Sequence, residues 1–403
     1  MTGGRKRAVN IGAGALARGL VMPSLLATPR GWEVAFASRL STSTNRDWLS
    51  DMATRAQVLK YILEQELPLV PGMGLAAAAP PVSWSGPLAD FHDTSTANGL
   101  KSMQRDIADP VTCLVTLNAR AGFDELAPEV LASVRKRPAG MPLLIVCCDN
   151  TPPPSWSDFR AACDALPNVA AVNSVADRMC VDGASLSLLG PMADKPPQGD
   201  VYTERWRRWY IERDGKNIAE QLELDRGDQA LGIQLVDDLR PYAIAKLYLM
   251  NAVHFGVGAL AAAHGEPMLN EFVAAEEAPP TPLLSLARDE VSPRERCQGL
   301  VQELRAAVLL RFGQESALDL DDPQGFADEW ADRTLHRLQR FSSSSLFPIQ
   351  ALRQTAEFER YVERRLRQPM RLVEGETGRE AWYLRDAIRA ADALVNAHAW
   401  EWL

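Results

Sequence analysis

The stretch that decides the fold is Val9-Asn10-Ile11-Gly12-Ala13-Gly14-Ala15-Leu16-Ala17-Arg18-Gly19, a G-x-G-x-x-A motif that follows a strand-like run and opens a helix. Gly12 allows the tight turn. Gly14 lets a pyrophosphate approach the backbone, and the small Ala17 lets the helix pack against the strand. The free N–H groups at the helix start would bind the phosphates. The motif predicts dinucleotide binding, with a purely structural glycine-rich turn as the alternative. The expected cofactor contacts are Gly12, Ala13, Gly14, Ala15 and Leu16.

Five apolar runs alternate with helix-like segments over the first part of the chain. Short, uniformly apolar runs are typical of central strands in a parallel sheet that is covered on both faces. Helix-like segments such as Phe123 to Arg135 lie between them. The alternation predicts an α/β fold with a Rossmann-type, doubly wound domain. The five runs are Ala8 to Ile11, Val34 to Ala37, Val111 to Leu117, Leu143 to Cys148 and Val169 to Val172.

The character of the chain changes near residue 235. Just before it, the aromatic-rich segment Val201 to Glu212 predicts a strand or a hairpin arm. From Val236 onward, long amphipathic stretches rich in Arg and Glu predict a mainly α-helical domain. We therefore expect two domains, residues 1–235 for the dinucleotide and residues 236–403 for substrate and catalysis. Residues 67–109 mix Pro, Gly, Ala and Ser and predict loop with one or two strands.

Composition narrows the classes of partner. The 403 residues carry a net charge of -9, which disfavours a broad nucleic-acid interface. No uninterrupted apolar stretch approaches the ~20 residues of a membrane span, and the short basic N-terminus does not resemble a signal peptide. The six cysteines form no C-x-x-C pair, so we expect no metal site and a reduced, cytoplasmic setting. The expected partner is a small-molecule substrate, bound by a monomer or homodimer.

The end of the second apolar run bears on the choice of cofactor. NAD-binding proteins usually place Asp or Glu about 20 residues after the glycine motif, where it holds the ribose 2′-hydroxyl. Ser38 and Arg39 stand there instead. A hydroxyl and a guanidinium suit a 2′-phosphate, so NADP is favoured over NAD. The alternative is that Arg39 stacks on the adenine or faces water.

Lys246, Asn251 and His254 lie on one predicted helix, Tyr242 to Ala263. At ~100° per residue, the three fall within an arc of about 140° around the helix axis. Polar groups on an otherwise apolar helix are costly without partners, and a partly buried lysine suits acid/base catalysis. The spacing alone also allows a solvent-facing lysine and a structural histidine.

The segment from Lys246 to His254 resembles the K-x-x-x-x-N-x-x-H signature of the polyol-specific long-chain dehydrogenase/reductase family, the family of the mannitol dehydrogenases. Other family motifs have counterparts in the same order, from residue 9 to about residue 341. Several short motifs in one order are more specific than any one of them. These counterparts are Gly12 to Gly19, Cys148 to Asn150, Asn173 to Arg178, Trp209 to Glu212, Val236 to Tyr242, and Arg340-Phe341.

The resemblance implies a role for each matching residue. Lys246 would be the general acid/base, while Asn150 and Asn251 would polarise the developing alkoxide. His254 would orient substrate hydroxyls. Because Asn150 ends a strand and Asn251 belongs to the second domain, a cleft between the domains is expected, with no need for a metal. Further implied contacts are Asn118 and Asn150 for the cofactor and Arg340 for the substrate.

Two departures from the family pattern concern the expected surroundings of the substrate. Asp177-Arg178, which we expect to form a structural or cleft-edge pair, is followed by Met179-Cys180 rather than by an apolar residue and Thr-Pro or Val-Pro. Arg340-Phe341 continues into four serines, residues 342–345, rather than an Asn-Pro stretch. The substrate therefore stays open among a polyol, a sugar, a sugar phosphate and a nucleoside-like secondary alcohol.

Two other functions remain as alternatives. An opine- or hydroxy-acid-type dehydrogenase would need a His-Asp or His-Arg site, and His92 is the only histidine with a neighbouring Asp in the sequence, Asp93. A non-catalytic dinucleotide-binding sensor would bind the cofactor without turnover. The presence of Lys246, Asn251 and His254 together argues against the sensor.

Overall fold

The computed structural model of the chain describes residues 6–26, 31–39, 59–63, 82–84, 88–118, 122–148, 152–178, 180–182, 201–203, 208–224, 232–264, 269–276, 291–315, 318–340 and 355–396. Contacts divide the chain into two compact units. Among the described residues, the first unit ends at Leu239 and the second begins at Arg240, a few residues beyond the expected boundary near residue 235.

An eight-stranded sheet forms the centre of the first unit, in the order β12-β11-β8-β7-β6-β1-β2-β5. The six strands from β8 to β5 are parallel to one another, and β11 runs antiparallel to β8. All five predicted apolar runs form strands of this sheet. Its strands are β1 (Lys6–Ile11), β2 (Trp32–Ser38), β5 (Leu88–Asp93), β6 (Thr112–Leu117), β7 (Leu143–Cys147), β8 (Val169–Asp177), β11 (Arg208–Glu212) and β12 (Ile233–Val236).

The direction in which successive strands are added reverses between β1 and β6. From β1 the chain adds β2 and then β5 on one side, and it later adds β6, β7 and β8 on the other side. This is the switch point of a doubly wound sheet, outside which ligands bind in this class of fold. The residues that follow β1 and β6 therefore stand at the predicted ligand position.

Both faces of the sheet are buried, as the mainly apolar runs predict. Ala8 belongs to one apolar core and Val9, the next residue, belongs to the other. One core is completed by the helical segment after β1, and the other by three helices that lie between strands. The helices of the first unit are Ala17–Val21 with Met22–Leu26, Ala97–Ala108, Phe123–Val134, Trp156–Asp164 and Ile218–Gln221.

The helix Ala97–Ala108 corrects our prediction of loop for residues 67–109. Thr96 caps it, because the Thr96 hydroxyl accepts a hydrogen bond from the Gly99 N–H at 3.0 Å. Met103 and Ile107, four residues apart on one helix face, are fully buried in the core. Strands β4 (Val82–Trp84) and β5 account for the strands expected in this region.

A second, four-stranded sheet has the order β4-β3-β10-β9, where β3 is Leu59–Leu63, β9 is Cys180–Asp182 and β10 is Val201–Thr203. It corrects the prediction of one strand or arm over Val201 to Glu212. That segment supplies two strands to different sheets, because β10 pairs with β3 and β9 while β11 pairs with β8 and β12.

The described part of the second unit is helical, as predicted. Its longest apolar element is the segment Arg240–Ala263, here called the central helix. By length and composition this helix could cross a membrane, but 78% of its most apolar window is buried inside the protein, as in a core helix. The other helices are Leu269–Ala274, Pro293–Gln314, Pro323–Arg340, the continuous run 355–377, and Trp382–Asn396.

Candidate active site

The turn after β1 has the geometry that a dinucleotide requires. Gly12 has φ 93°, a conformation that disfavours any side chain, and its N–H donates to the Ala37 carbonyl at 2.7 Å. A Cβ added to Gly14 would meet no atom within 4 Å, so the backbone there faces open space. Arg18 fixes the turn by donating from Nε to the Ala13 carbonyl at 2.9 Å. The turn therefore offers backbone N–H groups and room for a phosphate.

Asn118, which directly follows β6, stands on the other side of the switch point. Its backbone N–H donates to the Ile11 carbonyl at 2.8 Å, and its side-chain Nδ2 donates to the Thr116 hydroxyl at 3.2 Å. The Oδ1 atom of Asn118 is buried and has no hydrogen-bond partner in the described part of the chain. A buried acceptor without a partner is costly, and a donor on a bound ligand would remove that cost.

Two residues behind Asn118 were not singled out from the sequence. The Thr116 hydroxyl donates to the Asn10 side-chain oxygen, and both residues are fully buried inside the sheet. Thr116, itself bonded to Asn10, therefore holds the Asn118 side-chain amide through the bond that its hydroxyl accepts from Asn118 Nδ2. The sequence contained a signal for both residues, because a polar side chain within an apolar strand is costly to bury unless it forms hydrogen bonds.

Ser38 and Arg39 stand at the carboxyl end of β2, where the sequence predicts a contact with the adenosine ribose. Arg39 forms an ion pair with Glu125, in the first turn of the helix Phe123–Val134. Both side chains are partly exposed. The Glu125 carboxylate therefore lies beside Arg39, where the local sequence, Ser38-Arg39, contains no acidic residue. No sequence pattern pointed to Glu125, because the pair joins two segments distant in the chain.

Asp177 and Arg178 are both buried in the first unit. The guanidinium of Arg178 donates to the carbonyl of Gly19, in the first helix after the glycine turn. Arg178 thereby supports the helix that follows the glycine turn. Asn150, expected next to the end of β7, lies outside the described residues.

Lys246, Asn251 and His254 all belong to the central helix. Lys246 and His254 are buried, and Asn251 is half-buried. The segment Lys246–Ala252 is π-helical. In an α-helix, residues five apart in sequence are separated by about 140° around the helix axis. In a π-helix, the backbone hydrogen bonds join residues five apart, so these residues lie almost directly above one another, one turn apart. The π-helical turn therefore aligns Lys246 and Asn251 more closely than our α-helical arc predicted, and π-helical turns occur frequently at functional sites.

The ring of His254 is oriented by the helix itself. Its Nδ1 lies 2.7 Å from the Met250 carbonyl oxygen, which can only accept, so Nδ1 carries the proton. Met250 is held in turn by Arg337, whose guanidinium lies 3.4 Å from the Met250 sulfur. Arg340 ends the helix Pro323–Arg340, but its side chain lies outside the described residues.

Three potential metal ligands lie together in the first unit: Asp90, His92 and Asp106, with ligand atoms within 4.8 Å of one another. His92 Nε2 lies 3.0 Å from Asp106 Oδ2, and Arg7 lies 3.4 Å from the other oxygen of that carboxylate. Although burial alone would raise the pKa of Asp106, His92 and nearby arginines lower it overall. The Asp106 charge is thus already shared by cations, which weakens the case for a metal.

The His92–Asp106 pair also bears on the hydroxy-acid alternative. The structure pairs His92 with Asp106, not with its sequence neighbour Asp93. A pocket of about 520 Å³ lies beside His92. However, His92 is in the edge strand β5, which β2 separates from the switch point at β1. This pair is therefore poorly placed for chemistry on a cofactor bound at the switch point.

Comparison with known proteins gives a fold but no sequence family. No protein-family model matches the chain, and no curated protein matches it. Mannitol 2-dehydrogenase from Pseudomonas fluorescens, solved as a ternary complex with NAD and D-mannitol, has a TM-score of 0.61 at 16% identity, covering 96% of this chain and 78% of that one. A D-sorbitol dehydrogenase in substrate-free form has a TM-score of 0.60 at 13% identity, covering 97% and 81%. These similarities confirm the predicted fold class: a Rossmann-type sheet followed by a helical unit.

Proposed function

We propose that the protein is a nicotinamide-dependent oxidoreductase that transfers a hydride between its cofactor and a secondary alcohol or ketone of a polyol, a sugar, a sugar phosphate or a related substrate. One observation carries this proposal. The switch point of a doubly wound sheet is flanked by the Gly12–Gly14 turn and by Asn118, whose buried Oδ1 lacks a partner within the part of the chain that the structure describes. The fold shared with a mannitol 2-dehydrogenase bound to NAD and D-mannitol supports the same class of reaction.

The residues of the first unit fit a dinucleotide. The turn Gly12 to Leu16 would hold the pyrophosphate, because Gly14 leaves space there and the helix start supplies N–H groups. Asn118 Oδ1 would accept a hydrogen bond from a hydroxyl or amide of the cofactor. Ser38 and Arg39 would meet the adenosine ribose, where the guanidinium favours NADP over NAD. The bound nicotinamide would supply the hydride acceptor or donor.

The residues of the central helix would handle the substrate oxygen. In oxidation, the Lys246 amine would take the hydroxyl proton as the carbon loses its hydride, and in reduction the ammonium would return it. The amides of Asn251 and Asn150 would donate to the oxygen as negative charge builds on it. Because His254 Nδ1 is directed at the Met250 carbonyl, Nε2 is the nitrogen that we propose orients a substrate hydroxyl. Arg340 is the further proposed substrate contact.

The proposed division of labour follows the predicted domains, residues 1–235 for the cofactor and residues 236–403 for the substrate. A screen of NAD⁺ and NADP⁺ against alditols, sugar phosphates, uronates and 2-hydroxy acids, followed by absorbance of the reduced nicotinamide, tests the whole proposal. Turnover confined to the first three classes supports it. Turnover confined to hydroxy acids would favour the alternative dehydrogenase, and cofactor binding without any turnover would favour a sensor.

A further inference from the structure

Two of the π-helical segments in the described part of the chain, Lys246–Ala252 and Glu363–Arg367, contact each other in the second unit. Such segments are rare and occur frequently at functional sites. The first carries Lys246, which the proposed function uses. The second carries two consecutive arginines, Arg364 and Arg365, which it does not use.

Arg365 is stacked on aromatic rings instead of being neutralised by a carboxylate. Its Cζ atom lies 4.0 Å from the ring centre of Tyr361 and 5.8 Å from that of Phe255. The two rings are themselves stacked, with centres 6.4 Å apart. Ring quadrupoles attract a cation but do not replace a counter-ion.

Two neighbouring arginines of the same helical run, unlike Arg365, form ion pairs with carboxylates. Arg367 forms ion pairs with Glu359 and Asp392 at 2.9 and 2.8 Å, and Arg371 forms one with Glu363. Within the described ranges, no Asp or Glu forms an ion pair with Arg365, although its side chain is half-buried. A partly desolvated charge without a counter-ion is costly, so this position would gain from an anion.

The electrostatics agree with that geometry. Burial lowers the pKa of the Arg365 guanidinium to about 10, and the charge of Arg364 adds to the lowering although Tyr361 opposes it. The group stays cationic at neutral pH. Burial raises the pKa of Tyr248, in the segment Lys246–Ala252, while the charges of Arg311 and Arg364 act against that rise. The charges of Arg311 and Arg364 therefore act on the helix that carries Lys246.

The stack also includes a residue of the central helix, Phe255. Phe255 follows Asn251 by four residues, so their side chains share one helix face. Asn251 is one of the residues proposed to bind the substrate oxygen. An anion held by Arg365 would thus lie beside the helix face that carries Asn251.

We propose that Arg365, held by Tyr361 and Phe255, binds an anionic group of the substrate, a phosphate ester or a carboxylate. A guanidinium offers two parallel N–H donors to either group, and stacking on a ring fixes its plane. That the anion belongs to the substrate rests on the proposed function. The anion site itself does not.

Anion binding can be measured without knowing the substrate. Thermal unfolding of the full chain, saturated with NADPH so that the glycine turn is filled, is followed against inorganic phosphate and against gluconate, each compared with NaCl at equal ionic strength. The variants are Arg365→Gln, Arg365→Lys and Arg333→Gln. Arg333 is the matched control, because its Cζ atom also stacks on a ring, 4.5 Å from the centre of Trp330, but it has an ion-pair partner in Glu329.

We expect at least one of the two anions to stabilise the wild type and Arg333→Gln beyond NaCl. We expect about ten- to a hundredfold weaker binding by Arg365→Gln and an intermediate loss in Arg365→Lys. A stronger response to phosphate identifies a phosphate ester, and a stronger response to gluconate identifies a sugar acid. Equal binding by Arg365→Gln and the wild type, or no response of the wild type to either anion, overturns the proposal. NADPH binding, measured separately by fluorescence, reports on the proposed function alone.

Discussion

The backbone N–H of Asn118 donates to the carbonyl of Ile11 at 2.8 Å, which ties the ends of β6 and β1 together at the switch point of the sheet. Ile11 is the last residue before the glycine turn. The bond therefore holds the glycine turn in fixed register with Asn118, whose Oδ1 has no hydrogen-bond partner among the described residues. This single contact joins two features that the sequence presents separately, and both belong to the proposed cofactor site.

Adding a methyl group at Gly14 should weaken cofactor binding while preserving the fold. A Cβ at this position meets no protein atom within 4 Å, so Gly14→Ala leaves packing intact but fills space needed by the pyrophosphate. We expect dinucleotide affinity to fall at least about tenfold, measured by NAD(P)H fluorescence, with an unchanged thermal midpoint. Gly215→Ala, which also places its Cβ in open space, is the control and should bind normally. Normal binding by Gly14→Ala would exclude the turn as the phosphate site.

The Arg39–Glu125 ion pair should control the choice between NADP(H) and NAD(H). Arg39→Ala removes the proposed partner of the 2′-phosphate and should weaken NADP(H) more than NAD(H). Glu125→Gln releases the guanidinium and should shift selectivity toward NADP(H). Both shifts are read as ratios of dissociation constants for the two cofactors. Equal losses for both cofactors in Arg39→Ala would reject the 2′-phosphate assignment.

The buried ion pair between Arg296 and Asp386 should be essential to the second unit. The N–O distance is 2.6 Å, and each side chain is only 3% exposed. Arg296→Met removes the nearer cation from the buried Asp386 carboxylate and leaves Arg389, 3.6 Å from its other oxygen. The variant should cost up to about 3–5 kcal/mol in the free energy of unfolding, measured with urea. The double variant Arg296→Met, Asp386→Leu should recover much of that loss.

A matched control comes from the more exposed pair of Arg385 with Glu374, at 2.7 Å. Arg385→Met should cost much less than Arg296→Met, because solvent screens this pair. A similar loss for Arg296→Met and Arg385→Met would contradict the importance of burial.

Glu303 should make stability fall as pH rises toward neutrality. Burial raises the pKa of Glu303 to about 7, with Asp386 and Glu374 adding to the rise and the N–H groups of Leu384 and Tyr383 opposing it. The folded state then holds a proton that the unfolded chain releases near its ordinary pKa of 4.5. Stability is therefore lost progressively between about pH 4.5 and about pH 7.

Replacing Glu303 by Gln, which does not titrate, should remove that slope. Urea midpoints between about pH 5 and about pH 8 should decline less in Glu303→Gln than in the wild type. Glu376→Gln alters an exposed glutamate of the same unit and should keep the wild-type slope. Parallel pH profiles for Glu303→Gln and the wild type would refute this account.

Much of the first unit could be predicted from the sequence because its strands are short and mainly apolar. Runs such as Ala8 to Ile11 are typical of central strands, and both of their faces are buried. The helix Ala97–Ala108 was missed because Asn98-Gly99 in its first turn resembles a loop. The segment Val201 to Glu212 was misjudged because strand partners, not local pattern, decide which sheet a strand joins.

The candidate site could be predicted only in part. Local motifs identified Gly12, Gly14 and Lys246. The Arg39–Glu125 pair joins segments that are distant in sequence, so no local pattern announces it. The π-helical turn at Lys246–Ala252 inserts one extra residue into an apolar helix. The segment contains no proline or glycine that could have indicated this irregularity from the sequence. Asn150, Arg340 as a substrate contact, and the catalytic roles remain predictions.

The central claim is that Lys246 moves the proton of the substrate oxygen. The test is the turnover number of Lys246→Ala on whichever substrate the wild type converts, with cofactor binding measured in parallel and the exposed Lys101→Ala as control. We predict a fall in turnover of about a hundred- to ten-thousandfold, with near wild-type affinity for the dinucleotide and an unaffected control. Turnover by Lys246→Ala at a rate close to the wild type would contradict the account.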